Sequence, residues 1–332
     1  MVKMKITRCE MKKLILFLVC IATLLSLTAC SVTEFLAGLF GGEAAYVRCD
    51  KDGTPNAEGD YVLFGEYPQS LKSDDVAITA SAVAEDGRGY CLGSDGCYYA
   101  KVVADPYSGE YTFADGSAVT EGETYYFKVE PIRWRIISEN SESAMLLCDS
   151  IIDHSAYQSA ATKSGESYYV DGAPDGTYAN NYEYSEIRAW LNGTFFETAF
   201  TKLQQQIILE TDVNNRAASA GSPSSPYVCE NTQDFVFLLS YEDIKTEAYG
   251  FTAAADEKDP CRALLTSDYA RATGTLMKTV DGYYGNGTWW LRSASASGYT
   301  NSAYRIDTFG KVDKGYVNNV QYGVVPALII KL

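Results

Sequence analysis

The only imidazole in the 332 residues, His154, lies in the run Asp149-Ser150-Ile151-Ile152-Asp153-His154, which holds the acid, hydroxyl and base types of a nucleophilic triad. Triads are built by tertiary geometry rather than by neighbours in sequence, so the run does not by itself imply acyl transfer. A lone histidine beside a strand reads as a surface residue. The 43 acidic side chains make a hydrolase-like pair of carboxylates easy to supply by chance. Asp50-Lys51-Asp52-Gly53-Thr54-Pro55-Asn56-Ala57-Glu58 places oxygen side chains at alternate positions, as a calcium loop does. Its glycine stands fourth instead of sixth, so calcium there competes with a plain solvated turn. With no CxxC pair and one histidine, a structural zinc site is not expected. No glycine-rich phosphate loop of standard spacing is present, and no cofactor is expected. Enzymatic activity is not the favoured reading.

A different chemistry is written near the start. Lys12 and Lys13, the apolar run Leu14 to Leu27, and the small residue Ala29 have the layout of a secretory signal. Leu27-Thr28-Ala29-Cys30 closely resembles the lipobox of bacterial lipoproteins, in which the thiol just after the cut takes a diacylglycerol. The apolar stretch is shorter than the roughly 20 residues a membrane span needs. We therefore expect residues 1–29 to be a signal peptide and Cys30 to be lipidated, holding the body outside the cell on the membrane. Met11 also makes a natural start, which would leave residues 1–10 as an extension. Residues 30–45 read as a tether, although Phe35, Leu36, Leu39 and Phe40 would also suit an interfacial helix.

Removing the signal takes five of the 27 basic and one of the 43 acidic side chains, leaving 22 against 42 and a formal charge of −20. Such a surface repels phosphate backbones, so nucleic acid is not an expected partner. An aromatic content of 13%, with 26 tyrosines, argues for a folded body. Besides Cys30, the exported part would hold Cys49, Cys91, Cys97, Cys148, Cys229 and Cys261, which allow fifteen pairings. The turn Gly93-Ser94-Asp95-Gly96 makes Cys91 and Cys97 the best local candidates for a disulfide. Cys148, inside an apolar run, reads as a buried free thiol.

The elements that would position these groups are short. Tyr61 to Gly65 reads as a strand that Tyr67-Pro68 ends, and residues 71–124 as an insertion. Tyr125 to Ile137 alternates as a strand broken at Pro131, with Ala144 to Ile152 as its hairpin partner. Ser185 caps the clearest helix, whose stripe is Ile187, Trp190, Leu191 and Phe195. A second helix is expected over Phe200 to Glu210 with Leu203, Ile207 and Ile208 on one side, and a third from Leu264 to Ala272, ending at Gly274. Phe235 to Leu239 reads as a strand, and Ser240 to Asp243 as a capped turn. Short strands around Trp289-Trp290-Leu291, Ala303 to Ile306 and Val324 to Ile330 close the chain.

Eight segments occur in an order that identifies a resemblance: YVLFGEYPQS (61–70), PIRWRII (131–137), AMLLCDSIID (144–153), YSEIRAWLNGTFFETAFT (184–201), FVFLLS (235–240), TSDYARATG (266–274), WWLRSAS (289–295) and GVVPALII (323–330). Together they resemble a bacterial exported-protein domain of unknown function, related to formylglycine-generating enzymes. The resemblance implies an α+β, C-type-lectin-like fold with short strands, two to three helices and much irregular loop, forming one domain over 46–332. Val325 stands where those relatives carry an arginine. The two copper-binding cysteines near the end of formylglycine-generating enzymes have no counterpart after Cys261, so that oxidase activity is not implied. In retroelement-diversified variable proteins of this fold the C-terminal segment faces the ligand. Tyr299, Asn301, Tyr304, Asp307, Asn318, Asn319, Gln321 and Tyr322 give this tail a similar composition of rigid tyrosines and adaptable amides. The expected function is a lipid-anchored, non-catalytic display protein that recognises a protein or glycan through these residues. A carboxylate-based hydrolase or cell-wall-modifying enzyme is the alternative.

Overall fold

A computed structural model describes residues 45–83, 88–217, 219–221, 226–295 and 299–332. The expected signal, Cys30 and the tether up to residue 44 lie outside the described residues. The protein is mixed α+β, mostly strands with a few short helices. Among the described residues no helix is long and apolar enough to cross a membrane.

The larger sheet is built on β6 (Thr124–Glu139), the longest strand. One of its edges pairs along most of its length with β2 (Tyr61–Leu71), which also carries β1 (Val47–Cys49). The opposite edge is shared in series. Residues 124–128 pair with β5 (Tyr98–Val103), followed outward by β4 (Cys91–Gly93) and β3 (Ile78–Val83), while residues 134–139 pair with β7 (Ser143–Cys148). Beyond β7 lie β18 (Ala327–Lys331) and β13 (Val236–Phe237). The segment read as an insertion thus supplies three strands of this sheet.

Neither Pro68 nor Pro131 breaks its strand. The register of β2 shifts between Leu63 and Glu66 and again between Pro68 and Leu71. Pro131 sits opposite Glu66, at the first of these irregularities, where its missing N–H costs no ladder bond. Gly65 makes the bulge: its φ is +68°, and a Cβ there would lie 2.6 Å from the Phe200 ring. Trp134, fully buried on β6, donates its indole N–H to the Phe64 carbonyl at 2.7 Å.

The smaller sheet runs β16 (Val312–Tyr316), β15 (Ser302–Ile306), β14 (Trp289–Ala294), β17 (Gly323–Val324) and β8 (Asp153–His154), with only the β14–β17 pair parallel. Both Trp289 and Trp290 are fully buried, with indole N–H groups bonded to the Arg262 and Ser155 carbonyls at 2.9 Å. Val325 is also fully buried in the core.

The expected first helix begins as proposed. The Ser185 hydroxyl accepts from the Arg188 N–H at the start of α1 (Glu186–Trp190), which continues through a π-turn over Leu191–Phe195 into α2 (Phe196–Ala199). Asn192 explains the wide turn, because its side chain accepts from the Phe235 and Val236 N–H groups and donates to the Val236 carbonyl, stapling the helix to β13. The expected second helix shrinks to α3 (Lys202–Gln205), closed by a capping box between Thr201 and Gln204. Its expected continuation is drawn away by β18: Leu209 donates to the Ile329 carbonyl and Lys331 to the Ile207 carbonyl, so these residues extend the sheet edge. Leu203, expected on the buried side, is 53% exposed. The third helix, α4 (Asp268–Thr273), ends at Gly274 as expected.

Cys91 is a free thiol and is not bonded to Cys97. The hairpin register sets Cys91 opposite Tyr99, while the Cys97 carbonyl accepts from the Gly93 N–H and the Cys97 side chain packs with Val76 and Tyr99. The two cysteines are therefore two positions out of step across the ladder. Cys148 is buried and free, its thiol pushed up to about 12 by burial.

Candidate functional site

The groups first considered for catalysis have other employment. His154 places Nδ1 2.7 Å from the Val320 carbonyl, and Asp149 accepts a two-pronged bond from Arg133. In the loop considered for calcium, Asp50 accepts from the Asn56 amide and Asp52 from the Thr54 N–H, which lowers the Asp52 carboxyl below its ordinary value. Among the described residues no three of His, Cys, Asp and Glu gather as a metal site requires.

Asp153 accepts the Tyr67 hydroxyl at 2.5 Å and the His154 N–H at 2.8 Å. Burial pushes its carboxyl up, against the opposing pull of His154 and Tyr67. A folded-state pKa above the unfolded value of about 3.9 favours the folded state below that value, and the contribution fades as pH rises through the folded pKa. Asp153→Asn cannot ionise, so its melting temperature relative to wild type should be more favourable at pH 7 than at pH 4. Thermal denaturation at the two pH values checks this, and a difference independent of pH would contradict it.

The tail residues do not form one patch. Tyr299 is exposed beside the Lys314 ammonium, and Asn301 lies next to it, its carbonyl accepting from the Val317 N–H. Tyr304 packs at a tilt against Tyr241, with ring centres 4.6 Å apart. Asp307 is spent on a turn, accepting from the Phe309 and Lys311 N–H groups, and Asn319 accepts from the Gln321 N–H. Asn318 is exposed. Tyr322 packs edge-on against Trp290 and under the Arg305 guanidinium. Neighbouring residues of β15 point to opposite faces, so Tyr304 and the Arg305–Tyr322 pair are separated by the sheet.

A concave surface lies elsewhere among the described residues. An open depression of about 500 Å³ is walled by the loops around Pro174, Tyr184, Arg216 and Glu230, and by Val228 and Cys229. Beside it is a recess of about 10 Å³, which Val228 and Cys229 also line. The loop before α1 supplies Asn180 and Tyr182 to the recess, the segment after β11 (Thr211–Val213) supplies Asn215, and β14 supplies Arg292. A short antiparallel pairing of β11 with β12 (Thr232–Asp234) fixes the Asn215 loop. The hairpin of β9 (Ala161–Ser164) and β10 (Ser167–Val170) carries Tyr169, which packs on Tyr178, which packs in turn on Tyr227.

The recess leaves polar atoms without partners. Of six such buried side-chain atoms among the described residues, four are carried by residues that line it: Asn180 Oδ1, Tyr182 Oη, Asn215 Oδ1 and Arg292 Nε. Folded proteins leave few such atoms, and each costs about 1–3 kcal/mol. The rest of each side chain is firmly held. Asn180 Nδ2 donates to the Tyr299 and Ser302 carbonyls, and Asn215 Nδ2 to the Glu230 carbonyl and the Thr232 hydroxyl. Arg292 donates through Nη1 to the Leu238 carbonyl and to Asp243, both at 2.7 Å, and through Nη2 to the Asn214 carbonyl. Burial alone would raise the Asp243 carboxyl, yet Arg292 and the Ser240 N–H hold it below its ordinary value. Burial raises the Cys229 thiol, so it stays protonated at the wall between the two hollows.

Sequence reasoning missed Asn180, Tyr182, Asn215 and Arg292 as a group. Five tyrosines between Tyr168 and Tyr184 were the available signal. The tail reaches this site through the Tyr299 and Ser302 carbonyls, which hold the Asn180 side chain, and through the Thr300 carbonyl, which accepts from the Asn180 backbone N–H.

Residues 142–332, more than half of the chain, match the family described as Domain of unknown function (DUF6273). No curated protein and no solved structure matches the chain.

Proposed function

The chain belongs to the DUF6273 family, and from that premise we propose that it is a non-catalytic binding protein whose ligand, a protein or a glycan, occupies the depression beside Val228 and Cys229. The observation that carries this reading is an open, tyrosine-bordered hollow of about 500 Å³ beside a recess lined by Asn180, Tyr182, Asn215 and Arg292, four residues that each carry a buried polar atom without a partner. Fixed polar atoms that no part of the chain satisfies are preorganised for a partner. The lipobox-like Leu27-Thr28-Ala29-Cys30 supports a bacterial lipoprotein, cleaved before Cys30 and displayed outside the cell on a lipid anchor. The eight ordered segments, together with the short strands and long loops around the buried Trp289 and Trp290, support kinship with the C-type-lectin-like fold of formylglycine-generating enzymes. No cofactor is assigned to this role.

A second reading, a carboxylate-based hydrolase, is favoured by one observation: Glu183 and Glu230 both line the depression. Against it, Glu230 is exposed and paired with Arg216, and the buried Asp234 and half-buried Asp243 are engaged by Arg188 and Arg292.

A combined glycan and peptide array probed with the full chain tests the binding reading. Selective retention of a small set of related probes is expected, and uniform failure to retain any would contradict it.

A further inference from the structure

We propose that the recess is the site of one internal water molecule, which accepts from Arg292 Nε and the Tyr182 hydroxyl and donates its two hydrogens to Asn180 Oδ1 and Asn215 Oδ1. The inference concerns the inside of the wall, and it stands whether or not the depression beside it binds a ligand.

Size sets the first limit. A volume of about 10 Å³ is that of one water-sized oxygen and leaves no room for a second. Burial sets the next. Asn180, Tyr182, Asn215 and Arg292 are each no more than 6% exposed, so bulk solvent does not supply the bonds that the chain leaves unmade. No two of the four atoms bond to each other, since none of them has a partner.

Polarity decides the occupant. The Asn180 amide is held in one orientation, because its Nδ2 donates to the Tyr299 and Ser302 carbonyls, so Oδ1 offers only lone pairs. The Asn215 amide is held likewise by the Glu230 carbonyl. Arg292 Nε offers only a hydrogen, and the Tyr182 hydroxyl can give one. The set is therefore two acceptors and two donors, which the two hydrogens and two lone pairs of a water match bond for bond. A sodium or ammonium ion would suit the amide oxygens but face the Arg292 guanidinium. Chloride would suit Arg292 but oppose two amide oxygens. A hydroxyl has one hydrogen for two asparagines.

Such a water does structural work. The loop before α1 brings Asn180 and is already tied to the tail through Tyr299 and Ser302, whereas Asn215 follows β11 and is tied to β12 through the Thr232 hydroxyl. Arg292 lies on β14 and holds the Asn214 carbonyl. One water bonded to all four groups joins these three segments at a point that none of their direct bonds covers. Buried waters of this kind are costly to remove. Val228 and Cys229 line the recess and the depression alike, so the water lies behind the wall that the depression presents to solvent and holds that wall in place.

A crystal structure of the full chain, at a resolution that shows ordered waters, tests this directly. One water is expected within about 2.5–3.2 Å of Asn180 Oδ1, Tyr182 Oη, Asn215 Oδ1 and Arg292 Nε. A recess that holds no water, or an amide turned so that the four atoms bond among themselves, overturns the proposal. Tyr182→Phe supplies the test in solution. Removing a hydroxyl that donates to the water should lower the folding equilibrium constant about fivefold, the worth of one net hydrogen bond, whereas removing a buried hydroxyl that bonds to nothing would leave stability unchanged or raise it. Urea denaturation separates the two, and unchanged or raised stability in Tyr182→Phe overturns the proposal.

Discussion

Arg292→Met should destabilise the protein by about 3–5 kcal/mol, the usual cost of removing one partner of a buried ion pair. Arg292 is 5% exposed and joins three segments: the Leu238 carbonyl, the Asp243 carboxylate and the Asn214 carbonyl. Methionine fills much of the volume but satisfies none of these acceptors, so Asp243 becomes an uncompensated charge. Without Arg292 the Asp243 carboxyl would be driven upward by burial, and protonation would then relieve part of the penalty. The loss should therefore be smaller at pH 4 than at pH 7. Adding Asp243→Asn should restore part of the lost stability at pH 7. Urea denaturation of the single and double variants measures both effects. A cost below about 1 kcal/mol, in the range of an exposed pair, would contradict the account.

Arg262→Met should cost a similar amount, about 3–5 kcal/mol, for a different structural reason. This fully buried guanidinium donates to the carbonyls of Gly310, Ile244, Ala254 and Glu257 and to the Thr252 hydroxyl, with Asp259 3.4 Å away. It is the point at which the loop 244–259 is tied to the turn between β15 and β16. Gly310 approaches so closely that a Cβ there would lie 2.1 Å from the Asp259 carbonyl oxygen. Five acceptors cannot be served by the three hydrogens of an ammonium, so Arg262→Lys should also lose stability. Amide hydrogen exchange should accelerate first in residues 250–260. Uniform acceleration across the whole chain would contradict this local role.

The sequence was readable where a local rule and the tertiary demand agree. Ser185 caps a helix because its hydroxyl meets a free N–H within its own turn, and Gly274 ends one because its φ of +123° is open to glycine. Strand alternation placed Ile132 and Trp134 on the buried face of β6. It was misleading where a long-range partner intervened. Pro131 lies against a bulge that only the pairing with β2 reveals, residues 207–209 are recruited by a strand more than a hundred positions later, and Cys91 and Cys97 are separated by a register that their spacing does not state. The recess was invisible for the same reason. Its four residues come from three distant segments, and what marks them is the absence of partners, a property of the assembled fold. The tail's tyrosines and amides were plain in the sequence, but the two faces of a sheet divide them.

The central claim, that the depression beside Val228 and Cys229 is where a ligand binds, is tested most directly by filling it. Ala217 lines the depression without making any side-chain hydrogen bond, so Ala217→Trp should block the hollow and leave the melting temperature close to that of wild type. On the array, the account predicts that probes retained by the wild-type chain are lost or weakened at least about thirtyfold, equivalent to about 2 kcal/mol. Undiminished retention of the same probes by a folded Ala217→Trp chain would contradict it.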